Sequence, residues 1–256
     1  MSVYDQFAEL YDLEHQDFDA DLPLYTNFAV RCDGPVLEVG CGSGRVCLAL
    51  ARSGIDVLGI DTSPAMLALA QAHAVSTGLE QSVRFELADV RDLAYEDRFA
   101  LVLFPLNGFL HLLTVEDQLQ ALRCMAHALL PGGFLIVDLP NPHTVFVSEA
   151  DGQRLLRRRF FSRDGLSWAS YITTETDLAE QRQLLTLSYE REGPGDPVPQ
   201  TAVEMVLRYV YRHEMVLLVQ QSGLVVDEVY GTYDLDPYTD DSSQMVFVAY
   251  RPFDPE

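Results

Sequence analysis

From Pro35 to Leu139 the chain alternates short unbroken apolar runs with stretches of helical spacing. The runs Pro35–Gly40, Asp56–Ile60, Val83–Leu87, Phe99–Phe104 and Phe134–Leu139 read as buried strands. Between them, Arg45 to Ser53 has a helical rhythm and stops at Gly54. Ser63-Pro64 opens a second helix with serine at the N-cap and proline at the first position; it runs to about Thr77, with Gly78 as its stop. Thr114-x-x-Asp117 is a capping-box variant. It opens a helix whose Leu119, Leu122, Met125 and Leu129 share one face, and Pro131-Gly-Gly133 then turns the chain into the fifth strand. This strand–helix alternation predicts a mostly parallel sheet flanked by helices.

After Asn141-Pro142 the rhythm changes. Arg154–Phe161, Ser167–Thr176, Arg182–Glu192 and Ala202–Tyr211 carry β-branched and aromatic residues between turn signals at Asp164-Gly165 and Gly193–Pro199. They predict an inserted antiparallel β-meander. A helix over Arg212–Ser222, stopped by Gly223, and strands at Leu224–Tyr230 and Met245–Tyr250 resume the first scheme. The domain reading is therefore one unit over 1–142 and 212–256, interrupted by an antiparallel subdomain over 143–211 that covers a substrate or forms a dimer interface. Gly193–Gln200 is the one linker-like stretch, and no repeat is apparent.

Composition narrows the chemistry. Of 256 residues 39 are acidic and 17 basic, a formal charge of −22, and every base is arginine. Without lysine there is no Schiff base, no pyridoxal-phosphate anchor and no P-loop lysine. The acid excess disfavours nucleic acid, whose binding depends on cationic side chains, and favours neutral or cationic small partners. No apolar run approaches the roughly 20 residues of a membrane span, and the acidic N-terminus is unlike a signal peptide. Cys32, Cys41, Cys47 and Cys124 have no ligand-like spacing, so no metal is expected; they read as reduced thiols of a cytoplasmic protein.

The chemistry-bearing motif is Glu38-Val-Gly40-Cys-Gly42-Ser-Gly44 at a strand-to-helix junction. A dinucleotide fingerprint starting at Gly40 needs glycine where Arg45 stands, and one starting at Gly42 needs it where Cys47 stands. The pattern is instead acid-x-Gly-x-Gly-x-Gly, with Asp61 ending the second strand and Asp89 ending the third. This set resembles the class I S-adenosylmethionine-dependent methyltransferases over roughly residues 35–140 and again over 212–250, which implies a Rossmann-like sheet and S-adenosylmethionine as cofactor. The resemblance implies that Gly40, Gly42 and Gly44 surround the amino-acid and ribose parts, Asp61 the ribose hydroxyls, and Asp89 with the Val90 main chain the adenine. Cys41, Arg45, Thr62, Met66 and Leu106 complete the implied cofactor site with Glu38 and Tyr11. A carboxylate suits hydroxyl and amine protons on general grounds as well.

Tyr4 to Asp12 resembles the N-terminal helix that small-molecule members fold over the cofactor. Tyr4 and Tyr11 lie seven residues apart on one helical face; Tyr11 reads as a site residue, Tyr4 equally as one or as packing. Leu106-Asn107-Gly108-Phe109 is not the Asn/Asp-Pro-Pro-aromatic pattern used on planar bases, again against nucleic acid. His111, between two leucines, is a candidate general base or a packed histidine. Tyr11, Tyr233, Asp236 and Tyr238 are further candidates for handling the acceptor, the last three in a loop rich in Asp and Tyr. Arg157 and Arg159 share one face by strand alternation and are expected to pair with acids. The acidic segments 1–34 and 231–256 are expected to border the acceptor pocket. The leading reading is methyl transfer to a small amine or hydroxyl compound, with a possible homodimer. A nicotinamide oxidoreductase and a cofactor-binding protein without turnover are the alternatives.

Overall fold

A computed structural model describes residues 2–145, 151–162, 164–193 and 198–253. After a 3-10 turn at Val3–Gln6, the elements are α1 (Ala8–His15), α2 (Leu22–Cys32), β1 (Val36–Val39), α3 (Arg45–Arg52), β2 (Val57–Asp61), α4 (Pro64–Thr77), β3 (Val83–Leu87), β4 (Phe99–Phe104), α5 (Val115–Ala128) and β5 (Leu129–Pro140). There follow α6 (Pro142–Val145), β6 (Leu155–Phe161), β7 (Ser167–Asp177), β8 (Arg182–Glu192), β9 (Val198–Arg208), α7 (Arg212–Gln221), β10 (Val225–Tyr230) and β11 (Gln244–Tyr250). Among the described residues, seven strands form one sheet in the order β10-β11-β5-β4-β1-β2-β3, and β6 to β9 form a separate antiparallel sheet. Only β11 runs against its neighbours in the larger sheet. No helix of the described residues is long and apolar enough to cross a membrane.

The larger sheet is covered on both faces, which is why β4 is buried along its whole length. Alternate side chains serve opposite layers: Val102 and Phe104 join Leu122, Met125 and Val219, whereas Leu101 and Leu103 join Phe28, Cys47 and Leu50. The caps form as their sequence dictates. Ser63 Oγ accepts from Met66 N at 3.2 Å, and Thr114 Oγ1 accepts from Asp117 N at 3.0 Å.

Several elements differ from the pattern reading. The N-terminal helix is split at Phe7, whose φ of −146° breaks the helical run. The helix α2 was not anticipated, although Leu24, Tyr25, Phe28 and Ala29 make a buried helical stripe. Pro131-Gly-Gly133 is no turn: β5 already begins at Leu129, and the three residues with Leu130 form a bulge opposite Ala100, between the pairs Phe99–Leu129 and Leu101–Phe134. Leu129 is thus a strand residue and not part of the α5 face. β9 begins at Val198, inside the expected linker, of which residues 194–197 lie outside the described residues. In β6 a register shift between Leu156 and Arg158 breaks the expected alternation. Arg157 reaches Glu14, Arg158 reaches the Glu14 carbonyl, and Arg159 turns away to Glu192.

Two buried carboxylates fasten the parts. Glu14, 2% exposed, accepts from Ser170 Oγ at 2.6 Å, Tyr189 Oη at 2.8 Å and Arg157 Nη1 at 3.2 Å, and so binds α1 to the four-stranded sheet. Asp138 near the end of β5 accepts from Tyr25 Oη at 2.7 Å, Tyr233 Oη at 2.9 Å and Leu106 N at 3.0 Å. Burial raises its pKa to about 6. That last bond holds the loop after β4, where Leu106 and Asn107 sit at φ 49° and 64°, a conformation that costs side-chain-bearing residues about 1–3 kcal/mol and survives only when fixed from outside.

Removing either acid strands buried donors, at about 1–3 kcal/mol for each one left unpaired. Asp138→Ala and Glu14→Ala should therefore each lower stability by roughly 2–5 kcal/mol. Each kcal/mol corresponds to about 2–4 °C of Tm at this size. Calorimetric melts of the two variants check this; an unchanged Tm in either removes that carboxylate from the account.

Candidate active site

The site lies where β1, β2, β3 and β4 end. The chain leaves β1 through Gly40, Gly42 and Gly44, and the Gly42 N–H donates to Asp61 Oδ2 at 2.8 Å. A Cβ on Gly42 would meet nothing within 4 Å, because that face opens on a cavity of about 660 Å³. Gly44 has another task. A Cβ there would stand 3.0 Å from the Phe85 ring and 3.1 Å from the Ala70 methyl, and its φ is +85°. It lets α3 close against β3 and α4, and it lies outside the cavity lining, contrary to expectation.

The cavity brings together the other residues expected at a cofactor site: Tyr11, Glu38, Gly40, Cys41, Gly42, Arg45, Asp61, Thr62, Met66, Asp89, Val90 and Leu106, with His111 on the same wall. Asp61 is braced from two sides, since its Oδ1 also accepts from Ser63 N at 2.8 Å. Burial raises its pKa against these two amides. Glu38 is 2% exposed, its Oε2 has no partner among the described residues, and burial raises its pKa to about 7. A buried carboxylate oxygen left unpaired beside a cavity is a vacancy for a donor from a ligand.

Two expected ligand contacts are already engaged within the protein. The Asp89 carboxylate accepts from Arg91 Nε at 3.0 Å and Nη2 at 2.6 Å, which holds it below the usual carboxylate range. Arg45 grips Asp21 with both Nη atoms at 2.6 Å and reaches the Phe18 carbonyl at 3.0 Å. It therefore staples the segment before α2 to the cavity rim and is not a free cation.

The N-terminal segment forms the opposite wall. Asp5 accepts from Ser63 Oγ at 2.6 Å, and Asp12 pairs with His73 at 3.2 Å, so both ends of the segment are tied to α4. Tyr4 Oη stands 3.0 Å from His111 Nε2, and the Tyr11 ring meets Tyr4 edge-on at 5.2 Å and stacks on His15 at 4.0 Å. Burial lowers the His111 pKa to about 4 and raises that of Tyr4. At neutral pH the pair is uncharged. Sequence spacing brought Tyr4 and Tyr11 to one face, but nothing in it linked either to His111, 107 positions away from Tyr4.

The late-chain candidates lie elsewhere. Tyr233 is held by Asp138, Asp236 accepts from Thr232 Oγ1 at 3.0 Å, and the Tyr238 ring faces Arg212 at 5.5 Å. Among the described residues, the lining runs from Ser2 to Leu112. The first acidic segment borders the cavity; residues 231–253 and the antiparallel sheet do not. That sheet instead backs the N-terminal segment, with Phe160, Leu187, Tyr189, Val203 and Met205 packed around Phe7. No three His, Cys, Asp or Glu of the described residues are grouped to hold a metal.

Comparison with known proteins agrees with this geometry. The family described as Methyltransferase domain matches residues 36–133. Over 98% of both chains the sequence is 29% identical to the cypemycin N-terminal methyltransferase of a Streptomyces species. It is 36% identical to methyltransferase GfsG of Streptomyces halstedii over 44% of this chain and 40% of that one. In fold it is similar to the CcbJ methyltransferase of Streptomyces caelestis, with a TM-score of 0.81 at 24% identity over 99% of both chains. It is also similar to S-adenosylmethionine-bound CalS10, an amino pentose methyltransferase of Micromonospora echinaspora, with a TM-score of 0.71 at 21% identity over 94% and 96% of the two chains. The residues fit that cofactor: the unpaired Glu38 oxygen suits an ammonium, the braced Asp61 suits hydroxyls, and the open face of Gly42 admits close approach to the main chain. Residues 36–133 match a methyltransferase domain, and S-adenosylmethionine is the cofactor that these likenesses and the residues of the site indicate.

Proposed function

We propose that this enzyme methylates an amine nitrogen of a small molecule that is neutral or cationic. The observation that carries the reading is the uncharged Tyr4–His111 pair on the wall of a cavity where two of the three lining arginines, Arg45 and Arg91, are neutralised by Asp21 and Asp89 and the third, Arg52, is exposed to solvent. A protonated amine is drawn by the surplus acid, and a neutral amine meets an acceptor. The likeness to an N-terminal methyltransferase and an amino pentose methyltransferase supports nitrogen over oxygen.

When bound, S-adenosylmethionine supplies a methyl group on a positively charged sulfur, open to in-line displacement. The chain's own work is to hold and align. Asp61 receives hydroxyl protons on lone pairs not used by Gly42 and Ser63; Glu38 receives an ammonium proton; Asp89 and the Val90 main chain border the adenine. Gly40, Cys41, Thr62, Met66 and Leu106 shape the space between. The Tyr11 ring offers its face to the positive sulfur, at about 0.5–2 kcal/mol of cation–π attraction. The Tyr4 oxygen accepts the N–H of the acceptor while its own proton points to His111. Alignment is the larger contribution, up to about 7–11 kcal/mol; proton handling adds about 10²–10⁴-fold.

We further propose that residues 143–211 form a subdomain that shapes the acceptor site indirectly, by fixing the N-terminal segment, on a cofactor domain made of 1–142 and 212–256. The packing of Tyr189 and Met205 around Phe7 supports this.

A panel of amines and hydroxyl compounds with labelled donor and mass readout should give amine products; labelling of hydroxyls alone would overturn the nitrogen reading. Asp61→Ala should weaken donor binding more than about tenfold, roughly 1.4 kcal/mol, by calorimetry. Tyr4→Phe and His111→Gln should each lower kcat by about 10²-fold while donor affinity holds. Exchanging residues 143–211 for those of a relative should change acceptor choice; an equal loss of donor affinity would count against the subdomain's role.

A further inference from the structure

Beneath the glycine loop lie two thiols that methyl transfer does not use. Gly59 of β2 stands beside Glu38 of β1, and the space its side chain would take is filled with sulfur. The Sγ atoms of Cys47 and Cys41 lie 2.7 and 2.9 Å from the point a Cβ on Gly59 would occupy, so both sulfurs border the same small space. Both are free. Cys41 lines the cavity, whereas Cys47 in the first turn of α3 is fully buried. The Cys41 thiol and the Glu38 carboxyl both lie close enough to Cys47 to raise its pKa, and the Cys41 thiol donates to the Gly42 carbonyl at 3.9 Å.

We propose that Cys41 and Cys47 are an oxidisable pair, closing to a disulfide when hydrogen peroxide enters the cavity, and that closure lowers donor affinity. The chemistry balances. Cys41 sulfur attacks the peroxide, the O–O bond breaks, and Cys41 sulfenic acid and water form. Cys47 sulfur then attacks Cys41 Sγ; the S–S bond forms, the S–O bond breaks, and the hydroxide leaves as water with the proton of Cys47, passed through Glu38. Two thiols are oxidised and one peroxide is reduced to two waters. The order follows from access, since only Cys41 meets the cavity. The Cys47 hydrogen bond pulls the Cys41 thiol down, although burial leaves it above the ordinary range, and burial pushes Cys47 well above it. The pair is therefore slow toward weak oxidants and is driven by proximity. A disulfide needs sulfurs about 2.05 Å apart. Drawing Cys41 toward α3 displaces the main chain between Gly40 and Gly42, whose N–H is bonded to Asp61. The effect on affinity rests on the cofactor reading above; the disulfide does not.

The test uses the full chain with Cys32→Ser and Cys124→Ser, treated with hydrogen peroxide. Peptide mass mapping without reductant should find a Cys41–Cys47 cross-link, lighter by two hydrogens. Binding of S-adenosylhomocysteine by calorimetry should fall by roughly tenfold or more and return with dithiothreitol. S-adenosylhomocysteine added first should slow the cross-link. Adding Cys47→Ser should leave reduced binding intact and abolish the oxidant's reversible effect. Peroxide that leaves both thiols free, stops at Cys41 sulfinic acid, or yields a cross-linked protein of unchanged affinity overturns the proposal. Reduced protein that fails to bind S-adenosylhomocysteine would instead count against the cofactor reading, whatever the mapping finds.

Discussion

Everything at this site hangs on one carboxylate. Asp61 accepts the Gly42 N–H with one oxygen and the Ser63 N–H with the other, so the acid that ends β2 also fixes the loop that follows β1 and the start of α4. Three junctions thereby become one unit. The arrangement holds position 42 at a φ of +53°, which glycine adopts without strain.

A second constraint is geometric. β4 is sealed on both faces, so the loop after it can only be aimed from below, and Asp138 does this through the Leu106 amide. Asp138 also receives Tyr25 from α2 and Tyr233 from the loop after β10. The cavity wall thus inherits its shape from residues that never reach the cavity.

Much of the larger sheet was legible in the residues because its signals are local. The unbroken apolar runs fix β3 and β4, and Ser63-Pro64 and Gly78 bound α4, all within short windows. What was missed is non-local. The stripe of α2 was present but opened on Pro23 and acids without a side-chain cap. Gly44 looked like its neighbours, and only Phe85 and Ala70, distant in sequence, reveal its packing duty. Asp89 and Arg45 were read as ligand contacts because their partners Arg91 and Asp21 could not be paired with them from spacing alone. Asp138 stands in an apolar strand, where a lone acid marks a buried bond but not its donor. The Asp- and Tyr-rich loop invited a functional reading from composition, yet its side chains satisfy one another and Asp138.

The N-terminal segment touches the two halves of the molecule in different ways. Toward the large sheet its ties are polar: Asp5 to Ser63, Asp12 to His73, Tyr4 to His111. Toward the small sheet they are apolar, with Phe7 sealed among Phe160, Tyr189 and Met205, and are completed by Glu14. Water can replace the first set readily and the second only at the cost of exposing a core. Mechanically, then, residues 3–15 belong to the antiparallel sheet. Loosening the polar set would therefore leave the segment attached to the antiparallel sheet and part it from the large one.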